Sequence, residues 1–447
     1  MRLRGWELDP PRVRRASAAP VRWWLGHRVG LAIGAVGLAW YGAESLRHRR
    51  EGAFGYDLAT EIDVGSPDFL RAAEALTGTP ISEGNEVELF VNGDRIFPAF
   101  LETIASAERT LNLQTYVYWR GEIAEQVAAA IRDKAREGVR CNVILDALGA
   151  AQMERSQIGE MRDAGANVVL FRPPKPYAIK RVANRTHRRA LIADGKVGMT
   201  GGVGIAAEWM GDAEDSEHWR DSHVQVRGPV VRGLQGAFAE NWLEATGEVL
   251  AGEDYLPDLE PVEGGSTMQL VRSSATVGDT NAEALYYLAI ASARREIQLT
   301  AAYFVPRPAF TDALISAAER GVRVRILVPG PHIDKGVVRT AGRAAYEKLL
   351  DAGVELHEFQ PTMLHAKSLS VDGSWSSVGT INFDNRSFQL HDEVTLCVWD
   401  EGFAGSLGEA FENDLERSMK LEPGRWKRRG PVQRTAEAAT TVMRREL

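Results

Sequence analysis

The sequence predicts an α/β fold used twice along one chain, and three observations carry that prediction. Strand-like and helix-like segments alternate, their order recurs in the second half, and a histidine-centred stretch closes each round. The chain has 447 residues, 44% of them hydrophobic and 26% charged, with no low-complexity tract, so a sizeable core is feasible.

The amino-terminal segment, residues 1–50, carries the uncharged run Val29–Ala43 between Arg28 and Glu44. As a helix it would be roughly 22 Å long, short of a ~30 Å hydrocarbon core. Arg22 and Arg28 can snorkel, and Trp23, Trp24, Trp40 and Tyr41 suit the interface. A single-pass membrane anchor is the preferred reading over a cleaved signal peptide or a buried helix, because no clear A-x-A site follows. Arginines concentrated before the run favour an amino terminus inside, with the main domain across the membrane.

A polar connector, 51–85, leads into the first half, 86–250. There ERTLNLQTYVYW reads as a strand, IAEQVAAAIRDKAREG as an amphipathic helix and VRCNVILDALG as a buried strand, before DAGANVVLF. The acidic stretch 251–266, rich in Pro and Gly, reads as a linker. The second half, 267–418, repeats the order: IQLTAAYFV, the helix AFTDALISAAERG, the strand VRVRILVPG, the helix TAGRAAYEKLLDAG and the strand VELHEF. REGVRCNVIL answers ERGVRVRILV, and RDAGANVVLF answers LDAGVELHEF. A repeat this long makes each unit a domain-sized half, and the expected architecture is a pseudo-dimer of mostly parallel strands sharing one cleft. A basic tail, 419–447, could rest on an anionic bilayer or hang loose. Cys141 and Cys397 sit in apolar strand-like runs and read as buried small hydrophobes.

The chemistry concentrates where each half ends. HAKSLSVD places His365 and Lys367 two apart in a strand pattern, so both point to one face. An imidazole beside an ammonium suits a phosphate: the nitrogen attacks phosphorus or moves a proton, and the cation holds the other oxygens. Asp372, before a glycine turn, reads as a structural anchor. The first half has the matching His187, Arg189 and Asp194, then Gly201 and Gly202. The other seven histidines show no ligand spacing, and no metal or cofactor is implied. A net charge of −8 argues against a general nucleic-acid binder. Arg172–Arg189 nevertheless holds seven Lys/Arg and no acid, either a solvated basic loop or a mouth attracting phosphate head groups.

The paired H-x-[KR]-x4-D elements resemble the phospholipase D superfamily, and the finer pattern is similar to its cardiolipin synthase branch. The matching pieces are QTYVYW, NRTHRRALIADG, TGG and HWRDSHVQVRGPVVRGLQGAFAENW in the first half, and YFVP, LHAKSLSVDG and VGTINFDNRSFQLHDEV in the second. The resemblance covers roughly Leu89–Glu416. It implies a covalent phosphohistidine on His187, with His365 as general acid and base. Family position points to Asp221 as the partner of His187 and Glu393 as that of His365. Arg189, Lys367 and Asn382 are implied as phosphate ligands, with Asp194, Asp372, Gly201 and Gly202 structural. Arg189 stands where the family has lysine, Gly204 where it usually has asparagine, and Thr380 where serine is more usual. Losing one transition-state donor can cost ~10²–10³ in rate. The implied activity is phosphatidyl transfer joining two phosphatidylglycerol molecules into cardiolipin with release of glycerol, at a membrane. Hydrolysis of phospholipid or nucleic-acid phosphodiesters, and a non-enzymatic membrane protein with a disabled first half, are the rival readings.

Overall fold

The computed structural model describes residues 56–174, 184–275 and 281–430, with residues 433, 435, 437 and 440. The run Val29–Ala43 lies outside these residues. Among the described residues no helix is long and apolar enough to cross a membrane.

The first half supplies β1 (Ile81–Val91), β2 (Thr110–Thr115), β3 (Arg140–Asp146), β4 (Asn167–Phe171), β5 (Arg185–Thr186), β6 (Ala190–Ala193), β7 (Val197–Gly201) and β8 (Ser222–Arg227). The second supplies β9 (Ser266–Ser273), β10 (Glu296–Ala301), β11 (Arg323–Pro329), β12 (Glu355–Phe359), β13 (Lys367–Val371), β14 (Trp375–Gly379), β15 (His391–Trp399) and β16 (Ser418–Lys420). All belong to one sheet, ordered β16-β12-β11-β10-β13-β14-β15-β9-β1-β8-β7-β6-β2-β3-β4, with β5 paired to β15. Reading outward from the β9–β1 pair, the two halves follow the same order, so the repeat is a pseudo-two-fold folded into one sheet.

The predicted strands and helices fall where the periodicity puts them. The helix Glu122–Arg136 buries Ile123, Ala124, Val127, Ala128 and Ile131 on one stripe, with acids in its first turn and bases in its last. Its counterpart Pro308–Glu319 buries Phe310, Ala313, Leu314 and Ala317. Cys141 and Cys397 are fully buried in β3 and β15. The expectation of mostly parallel strands is corrected. Among the described residues, parallel ladders are confined to β2–β3–β4, β10–β11–β12 and the short β5–β15 contact, and the remaining ladders are antiparallel. The reason is local: β6–β7 and β13–β14 are hairpins closed by Asp194–Gly195 and Asp372–Gly373, all four with positive φ.

Those two aspartates also lock each hairpin to the neighbouring strand. Asp194 accepts from the backbone N–H groups of Glu108, Arg109 and Thr110, and Asp372 from those of Arg294, Arg295 and Glu296. Each carboxylate thereby satisfies three donors at the mouth of a parallel strand, which fixes the histidine strand in register.

Candidate active site

Each histidine sits just before or beside a short strand that leaves its own half. β5 pairs in parallel with β15, Thr186 opposite Asp392, and the His187 N–H donates to the Asp392 carbonyl at 2.8 Å. In the mirror position Arg220 bridges Leu364, and the His365 N–H donates to the Arg220 carbonyl at 2.7 Å. One residue further on, each histidine meets a carboxylate of the opposite half. His365 Nδ1 lies 2.7 Å from Asp221 Oδ2, and His187 Nδ1 lies 3.3 Å from Glu393 Oε1. This reverses the expected pairing, in which each carboxylate served the histidine of its own half. The strand exchange at the two-fold carries each histidine across.

Both carboxylates are buried and held from several sides. Asp221 accepts from the Trp209 indole at 2.8 Å and from the Ser222 N–H at 2.8 Å. Glu393 accepts from the hydroxyls of Thr380 and Ser387. Burial alone would raise Asp221, but the His365 partner, Lys367 and Arg189 hold it well below the ordinary carboxylate range. Burial opposes ionisation of Glu393 likewise, and His187 and His391 overrule it. Gly202 is required here, since a Cβ would fall 2.0 Å from Asp221 Oδ1.

Arg189 and Lys367 enter the same cluster, and Asn382 borders it through Ser387, which accepts from the Asn382 N–H and donates to Glu393. Arg189 is buried between the charges of Asp221 and Glu393, its Nη1 donating to the His187 carbonyl at 3.3 Å and its Nε unpartnered among the described residues. Lys367 Nζ lies 3.2 Å from His365 Nε2 and also donates to the His365 carbonyl. Asn382 is buried with its Oδ1 unpartnered among the described residues. Asp194 and Asp372 stand apart at the strand ends. Burial, Lys367 and Arg189 push His365 down to about 4, and burial pushes Lys367 down to about 7. Burial also takes His187 well below its usual value. Both imidazoles are therefore neutral at pH 7, each with Nδ1 toward a carboxylate and, for His365, Nε2 facing the Lys367 Nζ.

The lysine yields a prediction with a definite sign. Its value of about 7 in the folded chain lies below the ordinary 10.5, so the penalty for burying its charge is full below pH 7. That penalty shrinks as pH rises toward 10.5. Lys367→Met is expected to eliminate turnover and to remove this rise of stability with pH. Thermal melts between pH 7 and 10 should show stability rising with pH in the parent and not in the variant. The same upward slope in the variant would contradict this.

The basic stretch is corrected in its main role. Arg185 pairs with buried Asp146 at 2.9 Å. Arg188, fully buried, donates to the carbonyls of Ala237 and Ser273 and to Asn241 Oδ1, each at 2.8 Å. Arg172 pairs with Glu244 and Asp392. Of its described cations, Arg189 alone is left for a phosphate, because buried acceptors claim the others; Lys175, Lys180 and Arg181 lie outside the described residues.

Gly204 also has a reason. A Cβ there would stand 2.8 Å from Val117 Cβ and 3.0 Å from Cη2 and Cζ3 of Trp209. The indole fills the space of the missing side chain and supplies a donor, directed at Asp221. Gly204→Asn is therefore expected to lower stability by roughly 1–3 kcal/mol through overpacking and to leave turnover no higher than the parent. A melting curve with a turnover assay checks both, and a gain in turnover would show that the donor is truly lacking.

Sequence reasoning missed Trp209, Ser387 and His391. His391 packs against His187, the rings tilted by 39° with centroids 4.4 Å apart. It stands two residues before Glu393 on the same strand face, and that spacing was the available signal. At the equivalent place of the other half stands Trp219, 5.6 Å from the His365 ring.

Two buried, carboxylate-backed imidazoles with three cationic or amide groups between them define a phosphodiester-processing enzyme built on a duplicated α/β scaffold. The chain belongs to the cardiolipin synthase-like branch of the phospholipase D superfamily. The family described as cardiolipin synthase, PLD-like domain, matches residues 100–216 and 286–415. A cardiolipin synthase of Geobacillus kaustophilus (strain HTA426) is 33% identical over 376 residues, 84% of this chain and 75% of that one. A probable cardiolipin synthase of Bacillus subtilis (strain 168) is 32% identical over 359 residues, 80% of this chain and 71% of that one. The fold is also that of phosphatidylserine synthase from Haemophilus influenzae Rd KW20, with a TM-score of 0.63 at 13% identity, covering 84% of this chain and 99% of that one.

Proposed function

We propose that the protein is a phosphatidyltransferase that joins two phosphatidylglycerol molecules into cardiolipin and releases glycerol. The observation that carries this reading is the pair of neutral histidines, each backed by a carboxylate of the opposite half, around Arg189, Lys367 and Asn382. His187 Nε2 attacks phosphorus, and the bond from phosphorus to the glycerol head-group oxygen breaks. The new phosphoimidazolium keeps its Nδ1 proton against anionic Glu393. His365 gives the leaving oxygen its proton. In the free enzyme that histidine is neutral; the arriving phosphodiester charge offsets Lys367 and Arg189, so that His365 takes up one proton from solvent as the substrate binds. A hydroxyl of the second phosphatidylglycerol then gives its proton to His365 and attacks phosphorus, releasing His187. The run Val29–Ala43 is assigned to hold the enzyme at its lipid, whereas the tail's Lys420, Lys427 and Arg429 pair with Glu355, Asp351 and Glu347 and its Trp426 is buried.

The test uses the full-length protein in phosphatidylglycerol vesicles, with lipids and glycerol followed by mass spectrometry. Cardiolipin with equimolar glycerol is the expected result. Phosphatidic acid in place of cardiolipin would make the enzyme a hydrolase, and no product would reject phosphatidylglycerol as its substrate.

A further inference from the structure

His391 has no part in the transfer chemistry, yet it is 6% exposed and neither ring nitrogen has a hydrogen-bond partner among the described residues. Its Nδ1 lies 3.7 Å from Glu393 Oε1, beyond hydrogen-bond reach. His187 Nδ1 approaches the same oxygen at 3.3 Å without forming an aligned hydrogen bond. The donor atoms of His187, His391 and Glu393 all lie within 4.8 Å of one another. A tetrahedral zinc ion with ligand bonds of about 2.0–2.2 Å has donor atoms roughly 3.3–3.5 Å apart, so two edges of such a site already stand near their final length.

We infer that His187, His391 and Glu393 form a binding site for one divalent transition metal of the zinc type, and that filling it shuts the enzyme off. Two imidazoles and a carboxylate favour such ions over magnesium or calcium, which prefer oxygen ligands. The carboxylate supplies the compensating charge while Ser387 keeps its hydrogen bond to the same oxygen. A metal on Nδ1 of His187 displaces the proton from that nitrogen to Nε2. The nucleophilic lone pair is then lost, with no change of oxidation state and no bond to phosphorus. The site is one-sided, since the other half has Trp219 where this half has His391. The inhibition rests on His187 being the nucleophile, whereas the binding does not.

The experiment titrates chelator-stripped full-length protein with cobalt(II) chloride and reads the visible spectrum. It then repeats the titration with zinc chloride by calorimetry and in the vesicle assay. Wild type is expected to show the intense visible band of tetrahedral cobalt, to bind one zinc ion per chain, and to lose turnover in step with occupancy, recovering with EDTA. His391→Asn is expected to lack the cobalt band and, measured against its own metal-free turnover, to need at least ~10-fold more zinc for half-inhibition. An unaltered zinc titration in His391→Asn, or no cobalt band in wild type, overturns the site; the second result needs no variant. A cobalt band in protein that makes no cardiolipin would uphold the site and reject the phosphatidylglycerol reading. Stoichiometric binding without loss of turnover would overturn the inhibition.

Discussion

Alanine at His187 is expected to abolish turnover and covalent intermediate together, whereas alanine at His365 abolishes turnover but still permits His187 to be phosphorylated by an activated diester. The difference follows from the division of labour around phosphorus. Without His187 no nitrogen lone pair attacks, and a loss of up to ~10⁶ is the scale for removing a nucleophile. Without His365 the glycerol oxygen must leave unprotonated, a loss of ~10²–10⁴. A p-nitrophenyl diester needs no proton on its leaving group, so its first step survives. The second step then stalls because nothing deprotonates the incoming alcohol. Intact-protein mass spectrometry after acid-free quenching reads the adduct, and peptide mapping places it. An adduct on His365 in the His187→Ala protein would exchange the two roles.

The crossed carboxylates give the second large effect. Asp221→Asn is expected to lower cardiolipin formation by roughly 10³–10⁴, the scale seen when an orienting carboxylate is neutralised and the tautomer is lost. Because Asp221 holds His365, that loss should largely disappear with the p-nitrophenyl diester when adduct formation is followed. Glu393→Gln, acting through His187, should slow adduct formation with both substrates. If each carboxylate served its own half, the pattern would invert. Comparing burst rates of the two variants decides between the arrangements, and equal rescue in both would refute either one.

Much of this molecule can be read from its sequence because much of it is local. The stripe Ile123, Val127 and Ile131 declares a helix, the apolar runs around Cys141 and Ile326 declare buried strands, and Asp-Gly after each histidine strand declares a hairpin. Repetition then supplies the two-fold. The crossing of Asp221 and Glu393 could not be read, since it depends on β5 and Leu364 pairing with strands of the other half, and no local pattern encodes that exchange. The roles of Arg185 and Arg188 were hidden for the same reason: their acceptors, Asp146, Ala237, Asn241 and Ser273, are distant in sequence. Gly204 looked like a loss because its substitute, Trp209, comes from a different position in the chain.

The exchange of partners across the two-fold has a bearing on biosynthesis. A ribosome that has released the first half has exposed His187 with no Glu393, and Asp221 with no histidine to orient. The Asp221 centre is incomplete until His365 has emerged, and the His187 centre until the strand His391–Trp399 has taken its place beside β5. On the proposed mechanism, a chain that ends before residue 393 is expected to form no phosphohistidine. The duplicated architecture thus acts as a quality check on length: the enzyme acquires its reactivity only as its last structural repeat folds.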